Sequence, residues 1–492
     1  MKFKAKSLNL SAGRPVAIMH LDAARALGVH VDDRVQVTAG KIKIIAIVDT
    51  ILSGFFKEDE IALSEEVMQE LDIKTGDVVD ADPVPLRQSA HYIFEKLSGM
   101  ELTEKKIFAI IEDIVDNALA ESEIAYFISA MYTHGMSSEE IAFLTKAMVK
   151  TGTRLFLKKK IIADKHSIGG IPNNRTTPII VSICATAGLT MPKTSSRAIT
   201  SAAGTADVIE IISPVEFSIA KMKKIVYKTG GCIVWGGALG LAPSDDKIIQ
   251  VERLIYLDPE AQLIASILAK KLAVGSTHIL LDIPYGESAK VDKKEAVKLS
   301  KKFKKVAKIL KLNIQTILTD GKQPIGNGIG PLFELRDVLS ILKREKNAPK
   351  DLEQKSVMLA GKLLEMTGKC KKGEGEKIAM QILNSGQALK KFKEIISAQG
   401  GNINRINKLK PKFFHHILAD KNGKVSSIQN KKIAALARRA GAPADKTAGI
   451  YLYKHLSNIL KKGEKILTIY SETKDKLKEA VDFYKFVKPI EY

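Results

Sequence analysis

Short apolar runs recur through the middle of the chain, between about residues 155 and 335, and helical segments separate them. The runs are Ile179-Ile180-Val181, Val208 to Ile212, Gly231 to Trp235, His278 to Ile283 and Thr316-Ile317-Leu318. Strand-like runs that alternate with helices indicate an α/β domain with a mostly parallel sheet, because parallel strands need crossover connections. Ligands of such sheets bind in the loops beyond the carboxyl ends of the strands. We therefore expect the chemistry of this domain in those loops.

The patterns on either side of this region predict a multidomain α/β protein. Before about residue 84, short apolar runs such as Val35 to Val37 and Ile42 to Val48 alternate with Gly and Asp turns, which is typical of a small β-rich domain. We predict five parts: an N-terminal β-rich domain at 1–84, a helical lobe at 85–155 that later helices complete, a central α/β catalytic domain at 156–335, a helical connection at 336–405 and a C-terminal α+β domain at 406–492.

Apolar residues recur with helical spacing in the region after residue 85 and form three successive stripes. Thr103, Ser122 and Ser137 precede these stripes at the positions where helix N-caps belong. Glu140 follows Ser137 at the spacing of a capping box, in which each side chain binds the backbone N–H of the other residue. The spacing predicts a compact lobe of short helices.

The chain has an excess of positive charge, with a formal net charge of +22. Much of the excess lies between Lys290 and Lys311, where eight lysines share helical spacing with apolar residues, and this pattern favours an amphipathic helix with a solvated cationic face. Nucleic-acid modules usually add aromatic stacking residues or a reading motif, and aromatic residues make up only 6% of this chain. We expect no nucleic-acid partner, but a nucleic-acid-binding protein that uses the lysine face stays open as a non-enzyme alternative.

The cysteines and the hydropathy pattern indicate the cellular compartment of the protein. Cys184, Cys232 and Cys370 lie far apart and match no metal-ligand spacing, so we expect neither a disulfide framework nor a metal site. No apolar signal-peptide core follows the basic N-terminal residues, and no stretch is long and apolar enough to span a bilayer. We expect a cytoplasmic protein without a membrane partner.

Two segments combine small residues, hydroxyls and cations. The first is Asp164-Lys165-His166-Ser167-Ile168-Gly169-Gly170, which we expect to be a loop leaving a strand, and the second runs from Lys193 to Asp207. Glycines let backbone N–H groups approach a phosphate, while Lys165 adds charge and Ser167 a hydroxyl; His166 alone is more typical of a structural hydrogen bond. Seven of the nine residues from Lys193 to Ser201 carry a hydroxyl or a cation, more than helix capping needs. The two segments together predict an anion-binding active site.

These segments resemble the core of the class II nucleoside phosphorylases, the thymidine and pyrimidine nucleoside phosphorylase family, whose Lys-His-Ser-x-Gly-Gly loop matches Lys165 to Gly170. The resemblance continues through Asp258 to Lys271, Gly326-Asn327-Gly328 and Glu334-Leu335-Arg336. The second segment looks like the version found in an archaeal subgroup that acts on AMP, and the extra N-terminal domain also fits that subgroup. One departure is Asn173-Asn174, where relatives commonly carry a glycine.

The resemblance implies a role for each matched residue. Asp258 would be the proton donor, although an Asp before Pro259 is ordinarily a helix cap. Lys165 and Ser167 would help to hold the attacking phosphate, and no metal would be bound. The nucleotide pocket would be lined by Gly170, Ser196, Arg197, Ala198, Ile199, Thr200, Ser201, Thr205, Ser266 and Lys290.

The reaction implied by the resemblance is the reversible phosphorolysis of nucleoside 5′-monophosphates, AMP and also CMP and UMP, to free base and ribose 1,5-bisphosphate in nucleotide catabolism and salvage. The enzyme would be a pentosyltransferase and a homo-oligomer of at least two chains, with orthophosphate as co-substrate and no cofactor. One alternative is a pyrimidine nucleoside (thymidine) phosphorylase, which takes the unphosphorylated nucleoside. Another is anthranilate phosphoribosyltransferase, which shares the fold but requires a diphosphate and magnesium site, for which no paired acidic motif is present.

Overall fold

The computed structural model describes residues 1–52, 57–85, 87–198 and 201–492. The chain forms two compact units, each built from two segments: Met1–Gly152 with Ala242–Ser266, and Thr153–Leu241 with Ile267–Tyr492. Among the described residues, no helix combines the length and the apolar character that crossing a membrane requires. The five domain limits stated above stay predictions.

The first unit begins with a closed six-stranded barrel in which the strands follow the order β1-β5-β2-β4-β3-β6. Its elements are β1 (Lys2–Ser7), β2 (Val16–His20), α1 (Leu21–Leu27), β3 (Arg34–Ala39), β4 (Ile42–Ile51), β5 (Glu60–Leu63), α2 (Glu65–Leu71) and β6 (Val78–Pro83). Alternate residues along a strand, such as Val35 and Val37, are buried in the barrel core. Closure removes the unpaired edges that an open sheet would expose. The prediction of a small β-rich domain is confirmed.

Four helices follow the barrel: α3 (Gln88–Leu97), α4 (Glu104–Val115), α5 (Glu121–His134) and α6 (Ser138–Lys150). Thr103 caps α4 by accepting a hydrogen bond from Lys106 N, and Ser137 forms the predicted capping box with Glu140 at the start of α6. The prediction that Ser122 is an N-cap was wrong. Helix α5 begins at Glu121, one residue before Ser122, because Glu123 accepts the backbone N–H of the residue preceding the helix.

The central part of the chain alternates strands and helices, as the apolar runs predict. Its elements are β7 (Ala163–Ser167), α7 (Thr176–Thr186), β8 (Met191–Ser195), α8 (Thr205–Ile209), α9 (Ile219–Thr229), β9 (Gly231–Trp235), α10 (Pro243–Ile255), α11 (Glu260–Ala273), β10 (His278–Tyr285), α12 (Lys293–Ile309) and β11 (Asn313–Asp320). Helix α10 belongs to the first unit, where it packs against α4 and α5. The helical lobe is therefore built from two separate stretches of chain.

All five central strands are parallel to their neighbours. Strand β10 pairs with β11 and with β7, and β8 pairs with β9. A single parallel bridge between Ile162 and Thr190, next to the starts of β7 and β8, links the two groups. The spatial order is thus β11-β10-β7-β8-β9, so β7, which comes first of these five strands in the chain, lies in the middle. This is the order of a doubly wound sheet, and it confirms the predicted α/β class.

Two of the five apolar runs are not strands. Ile179 to Val181 lies in α7, and Val208 to Ile212 begins in α8 and continues into a turn. Ten of the 11 residues of α7 are buried, so the helix is apolar on every side and its sequence lacks the period of an amphipathic helix. The first anion-binding segment also differs from the expectation, because Asp164 to Ser167 belongs to β7 and only the residues from Ile168 onward form the loop.

Helices cover the sheet, and a C-terminal α+β region follows them. The covering helices are α13 (Pro331–Leu342), α14 (Lys350–Met366), α15 (Gly375–Asn384) and α16 (Gln387–Ala398), which share one apolar core with α7. The C-terminal elements are β13 (Phe413–Leu418), β14 (Gly423–Lys424), β15 (Ser427–Ile428), α17 (Asn430–Arg439), β16 (Gly449–Leu452), β17 (Ile459–Leu460), β18 (Lys465–Ser471), α18 (Lys474–Val487) and β19 (Ile490–Glu491). Strand β12 (Gly328–Ile329), which precedes α13, joins β16, β18 and β13 in an antiparallel sheet. The predicted α+β class is confirmed for this region.

Candidate active site

The carboxyl ends of the parallel strands bring the predicted binding loops of the second unit to one edge of the sheet. In the order β11-β10-β7-β8-β9, the connection after β7 leads to β8 on one side and the connection after β10 leads to β11 on the other, so the topological switch point lies between the ends of β7 and β10. Doubly wound sheets bind their ligands at such a switch point. Gly170 follows β7 there, and Lys290 follows β10.

Gly170 and Lys290 are in direct contact. A Cβ atom placed on Gly170 would lie 2.9 Å from the backbone N of Lys290, closer than such atoms approach in proteins. Gly170 also has a φ of +89°, which side-chain-bearing residues rarely adopt. The two loops can therefore meet only because residue 170 is glycine, and the contact brings two predicted nucleotide-binding residues together.

Lys165 is buried near the end of β7. Its Nζ donates a hydrogen bond to Thr176 Oγ1 at 2.8 Å and lies 3.8 Å from Asp282 Oδ2. Burial lowers the pKa of Lys165 to about 8, against the opposing effect of the Asp282 carboxylate. A lysine with this pKa still carries its charge near neutral pH, so it can attract an anion.

Asp282 is the centre of a buried network beneath this loop. Its carboxylate accepts hydrogen bonds from Thr319 Oγ1 at 2.6 Å and from Asn174 Nδ2 at 3.1 Å, and Lys355 Nζ lies 3.0 Å from Oδ2. Burial alone would raise the pKa of Asp282, but Lys355 and Lys165 hold it below its usual value. The carboxylate thus stays ionised and fixes the surrounding cations.

Ser167 lies at the carboxyl end of β7, and its hydroxyl accepts hydrogen bonds. Asn174 Nδ2 donates to Ser167 Oγ at 3.1 Å, and Gly169 N donates to the same oxygen at 3.4 Å. A hydroxyl that accepts from protein donors keeps its own hydrogen for another acceptor. Ser167 is therefore set up to donate to an anion.

A second buried network lies on the other face of β7. Lys193 Nζ is 3.0 Å from Asp164 Oδ1, and Lys271 Nζ is 2.7 Å from Asp164 Oδ2. Burial lowers the pKa of Lys271 to about 7, although Asp164 opposes the shift. Burial, together with Lys271 and Lys193, also keeps the pKa of His166 well below its usual value, so this imidazole is neutral near pH 7.

Buried cations and buried carboxylates lie close together around β7 and the loops beside it. The cations are Lys165, Arg175, Lys193, Lys271 and Lys355, and the carboxylates are Asp164, Asp207, Asp282, Glu334 and Asp337. Buried charge is costly unless it is paired and hydrogen-bonded. Lys165 has the longest ion pair of the five cations, 3.8 Å from Nζ to Asp282 Oδ2, so its charge is the most available to an anion.

Two buried hydroxyls at the end of β8 have no hydrogen-bond partner among the described residues. They are Thr194 Oγ1 and Ser195 Oγ, whose side chains belong to residues exposed by 5% and 9%. Nearly all buried polar atoms in proteins are hydrogen-bonded. These two hydroxyls therefore indicate a polar ligand at the second anion-binding segment, one or two residues before the predicted contact Ser196.

Asp207 ties together both ends of the second segment. Its Oδ2 accepts hydrogen bonds from Ala198 N at 2.7 Å and from Gly204 N at 2.8 Å. The guanidinium of Arg197 donates to Glu210 at 2.6 and 2.9 Å and lies over the ring of Trp235. The Arg197 side chain thus anchors the segment through carboxylates, while Ile199 and Thr200 lie outside the described residues.

Thr205, at the start of α8, accepts a hydrogen bond from Arg175 Nη1 at 2.6 Å. Arg175 also donates to Ala203 O at 2.9 Å and to Glu334 Oε2 at 2.6 Å. Ser201 Oγ donates to the same Ala203 carbonyl at 3.1 Å. Arg175 therefore connects the first anion-binding segment to the second.

The remaining two predicted residues belong to the first unit. Asp258 is exposed and lies two residues before α11 begins, and Ser266 is buried within α11. Pro259 O accepts a hydrogen bond from Leu263 N at 3.0 Å in the first turn of α11.

Several residues of this network were not identified by the sequence motifs. Asn174 and Arg175 lie four and five residues after Gly170, just before the apolar run of α7. Asp282 is the one charged residue in the run His278 to Ile283. A charge inside a strand-like apolar run needs a buried partner, and this is the signal by which Asp282 could have been found.

Models of three protein domains match the chain. The helical bundle domain of a glycosyl transferase family matches residues 90–152, the a/b domain of that family matches residues 159–389, and the pyrimidine nucleoside phosphorylase C-terminal domain matches residues 424–490. The matches cover the helical lobe, the sheet with its loops, and most of the C-terminal region.

Three known proteins show how far the likeness extends. "Putative thymidine phosphorylase" of Legionella pneumophila (strain Corby) is 45% identical over 92% of this chain and 88% of its own length. AMP phosphorylase of Thermococcus kodakarensis is 42% identical over 100% of this chain and 97% of its own length. The crystal structure of anthranilate phosphoribosyltransferase from Thermus thermophilus has a TM-score of 0.52, is 16% identical, and covers 63% of this chain and 99% of that one. The last comparison shows a shared fold only.

Identity above 40% over nearly the whole length of both chains, together with the three matched domains, decides the family. The protein is a pentosyltransferase of the thymidine/pyrimidine nucleoside phosphorylase family.

Proposed function

We propose that this enzyme catalyses the reversible phosphorolysis of nucleoside 5′-monophosphates, AMP and also CMP and UMP, to free base and ribose 1,5-bisphosphate. The likeness to the AMP phosphorylase of Thermococcus kodakarensis extends over the entire chain, including the barrel of the first unit. The main structural support is Lys165 in β7, the buried cation with the longest ion pair, together with the unpartnered hydroxyls of Thr194 and Ser195 at the end of β8. A reaction between orthophosphate and a nucleotide needs a site that offsets the charge of two anions.

The two segments have separate tasks in this proposal. Lys165 and Ser167 hold the attacking orthophosphate, since one supplies charge and the other a hydroxyl that is free to donate. The nucleotide is held by Gly170, Ser196, Arg197, Ala198, Ile199, Thr200, Ser201, Thr205, Ser266 and Lys290. Neither a metal ion nor a cofactor takes part.

The chemistry is a displacement at the anomeric carbon. An oxygen of orthophosphate forms a bond to C1′ while the bond from C1′ to the base nitrogen breaks, and positive charge develops on the ribose as in glycoside cleavage. Asp258 gives its proton to the departing base nitrogen, so the base leaves in its neutral form. Such general acid catalysis contributes about 10² to 10⁴ in rate.

A second candidate is the phosphorolysis of unphosphorylated pyrimidine nucleosides, because a relative that is 45% identical carries the name of a thymidine phosphorylase. The two reactions differ in the 5′-phosphate. An enzyme for nucleotides needs donors for a second anion, and the unpartnered hydroxyls of Thr194 and Ser195 support that requirement.

The proposal is tested by incubating the protein with AMP, CMP, UMP, adenosine and thymidine, with and without orthophosphate, and measuring the free base. We expect base from the nucleotides only, only with orthophosphate, and at the same rate in the presence of EDTA. Release from adenosine or thymidine at an equal rate, or release without orthophosphate, would contradict the proposal. A requirement for magnesium would favour a phosphoribosyltransferase instead.

Asp258→Asn tests the role of the acid. The variant keeps the size of the side chain but has no proton of suitable acidity, so turnover should fall at least about a hundredfold. AMP binding, measured by calorimetry, should change little. Undiminished turnover in Asp258→Asn would remove this residue from the acid role.

We also propose that the enzyme is a cytoplasmic homo-oligomer of at least two chains and needs no nucleic acid. Sedimentation of the purified protein tests the oligomeric state, and a monomer at micromolar concentration would refute it.

A further inference from the structure

Arg175 is a buried cation that connects the two segments but has no part in the reaction proposed above. It is 9% exposed and lies at the N-terminal end of α7, five residues after Gly170. Its three nitrogen atoms each donate to a different acceptor: Nε to Glu334, Nη1 to Thr205 Oγ1 and Nη2 to Ala203 O. The side chain is held rigidly, because the planar guanidinium fixes the directions of its donors.

Glu334 sets the position of the guanidinium. Its Oε2 accepts from Arg175 Nε at 2.6 Å, and its Oε1 accepts from Gly330 N at 3.1 Å. Glu334 is 1% exposed, so water does not compete for either bond. Both carboxylate oxygens have fixed partners, and helix α13 thereby holds Arg175 in a single orientation.

The bond from Arg175 decides what Thr205 can do. A threonine hydroxyl has one hydrogen to donate and can accept at its lone pairs. Since Arg175 Nη1 donates to Thr205 Oγ1 at 2.6 Å, the hydrogen of that hydroxyl must point to another acceptor. The positive charge of the guanidinium also polarises the O–H bond toward stronger donation. Thr205 is half-buried, so its hydrogen can reach a bound molecule.

The same arrangement occurs at the first segment. Asn174 Nδ2 donates to Ser167 Oγ at 3.1 Å, which leaves the hydroxyl hydrogen of Ser167 available to an anion. Two consecutive residues, Asn174 and Arg175, thus orient one hydroxyl in each anion-binding segment.

We infer that Arg175, held by Glu334, is a positioning residue that presents the Thr205 hydroxyl as a hydrogen-bond donor to the nucleotide. This inference rests on the proposed function, since it takes Thr205 as a nucleotide contact. Arg175 binds no substrate atom itself and acts through Thr205.

The test is a double-mutant cycle with Arg175→Lys and Thr205→Val, measured as KM for AMP and KM for orthophosphate. Lysine keeps the charge but cannot reach Thr205, Ala203 and Glu334 together, so Arg175→Lys should raise KM for AMP about tenfold. KM for orthophosphate should stay within about twofold. In the Thr205→Val background, Arg175→Lys should add less than about twofold, because the hydroxyl it orients is gone. Arg439→Lys, at an exposed ion pair of the same unit, is the matched control and should change neither constant.

Additive effects of the two substitutions would overturn the inference, and so would an equal rise in both KM values. If Arg175→Lys does not fold, Glu334→Gln replaces it in the cycle. Its single amide oxygen can still accept from Arg175, but the negative charge and the acceptor for Gly330 N are lost. Glu334→Gln should raise KM for AMP about threefold in the presence of Thr205 and leave it unchanged in Thr205→Val. Failure of the proposed function would look different, since the unsubstituted enzyme would then release no base from AMP with orthophosphate.

Discussion

At the scale of single residues, the chemistry of the site depends on how buried charges are balanced. Lys165 keeps a usable charge although it is buried, because the Asp282 carboxylate lies 3.8 Å away and opposes the effect of desolvation. Asp282 is in turn held ionised by Lys355. Of these three residues the sequence motif identifies only Lys165, since the other two come from β10 and α14.

The first prediction concerns pH. The pKa of Lys165 is lowered to about 8, so its ammonium is mostly charged at pH 7 and loses its proton as the pH rises through 8. We expect kcat/KM for orthophosphate to fall above about pH 8, because the neutral amine no longer attracts the anion. Initial rates measured between pH 6 and 10 at limiting orthophosphate check this expectation.

Asp282→Asn provides the control for this assignment. Asp282 raises the pKa of Lys165, so its removal should move the alkaline fall in kcat/KM to lower pH. An unchanged pH profile in Asp282→Asn would mean that another group causes the fall.

At the scale of elements, the ends of the helices depend on single hydrogen bonds. Ser137 Oγ accepts from Glu140 N at 3.2 Å, and Glu140 Oε2 accepts from Ser137 N at 2.8 Å. Glu140 also accepts from Lys96 Nζ at 2.9 Å, inside the helical lobe. The start of α6 is therefore fixed both by its own cap and by the ion pair between Glu140 and Lys96 of α3.

The second prediction compares two serines of this lobe. Ser137→Ala removes a cap and should lower the free energy of unfolding by about 1 kcal/mol. Ser122→Ala should change it by less than about 0.5 kcal/mol, because Ser122 lies inside α5 and is exposed. Urea denaturation followed by circular dichroism measures both values. Equal losses in the two variants would show that Ser137 is not the cap of α6 in solution.

At the scale of the whole molecule, the positive charge is not spread evenly. Helix α12 carries eight lysines and one glutamate, and seven of the lysines have no carboxylate oxygen within 4.0 Å in the described part of the chain: Lys293, Lys294, Lys298, Lys301, Lys304, Lys305 and Lys308. The cations beside β7 are buried and paired, whereas these lysines face solvent. We attribute the catalytic role to the buried group only.

The third prediction separates the two groups of cations. The triple variant Lys298→Glu, Lys301→Glu and Lys305→Glu reverses the exposed charge of α12, and it should leave phosphate-dependent base release within about twofold. The unsubstituted protein should show no tight RNA binding at physiological salt. A salt-dependent RNA complex that the triple variant abolishes, without base release by either protein, would favour the nucleic-acid alternative.

Local patterns in the sequence were sufficient for the β-rich class of the N-terminal domain, for the stripes of α4 to α6 and for three of the five strands of the sheet. They also identified the two segments that we propose to bind anions. In each case the residues that form the pattern lie within a few positions of each other. The hydrophobic period, the turn residues and the helix caps can therefore be recognised from a short stretch of sequence. The lysine, serine and glycines of the first segment are adjacent for the same reason.

Only the tertiary structure decided the rest. The run Ile179 to Val181 lies in a helix that is buried on every side. A fully buried helix lacks the alternation of apolar and polar residues by which a helix is recognised in a sequence. Arg175 bonds to Glu334, which lies 159 residues away, and Asn174 bonds to Asp282, which lies 108 residues away. Such contacts depend on the order in which strands pack, which no local pattern encodes. The sequence by itself thus determined which two segments combine hydroxyls, cations and glycines, while the packing of the sheet and helices decided which buried charges and hydroxyls surround them.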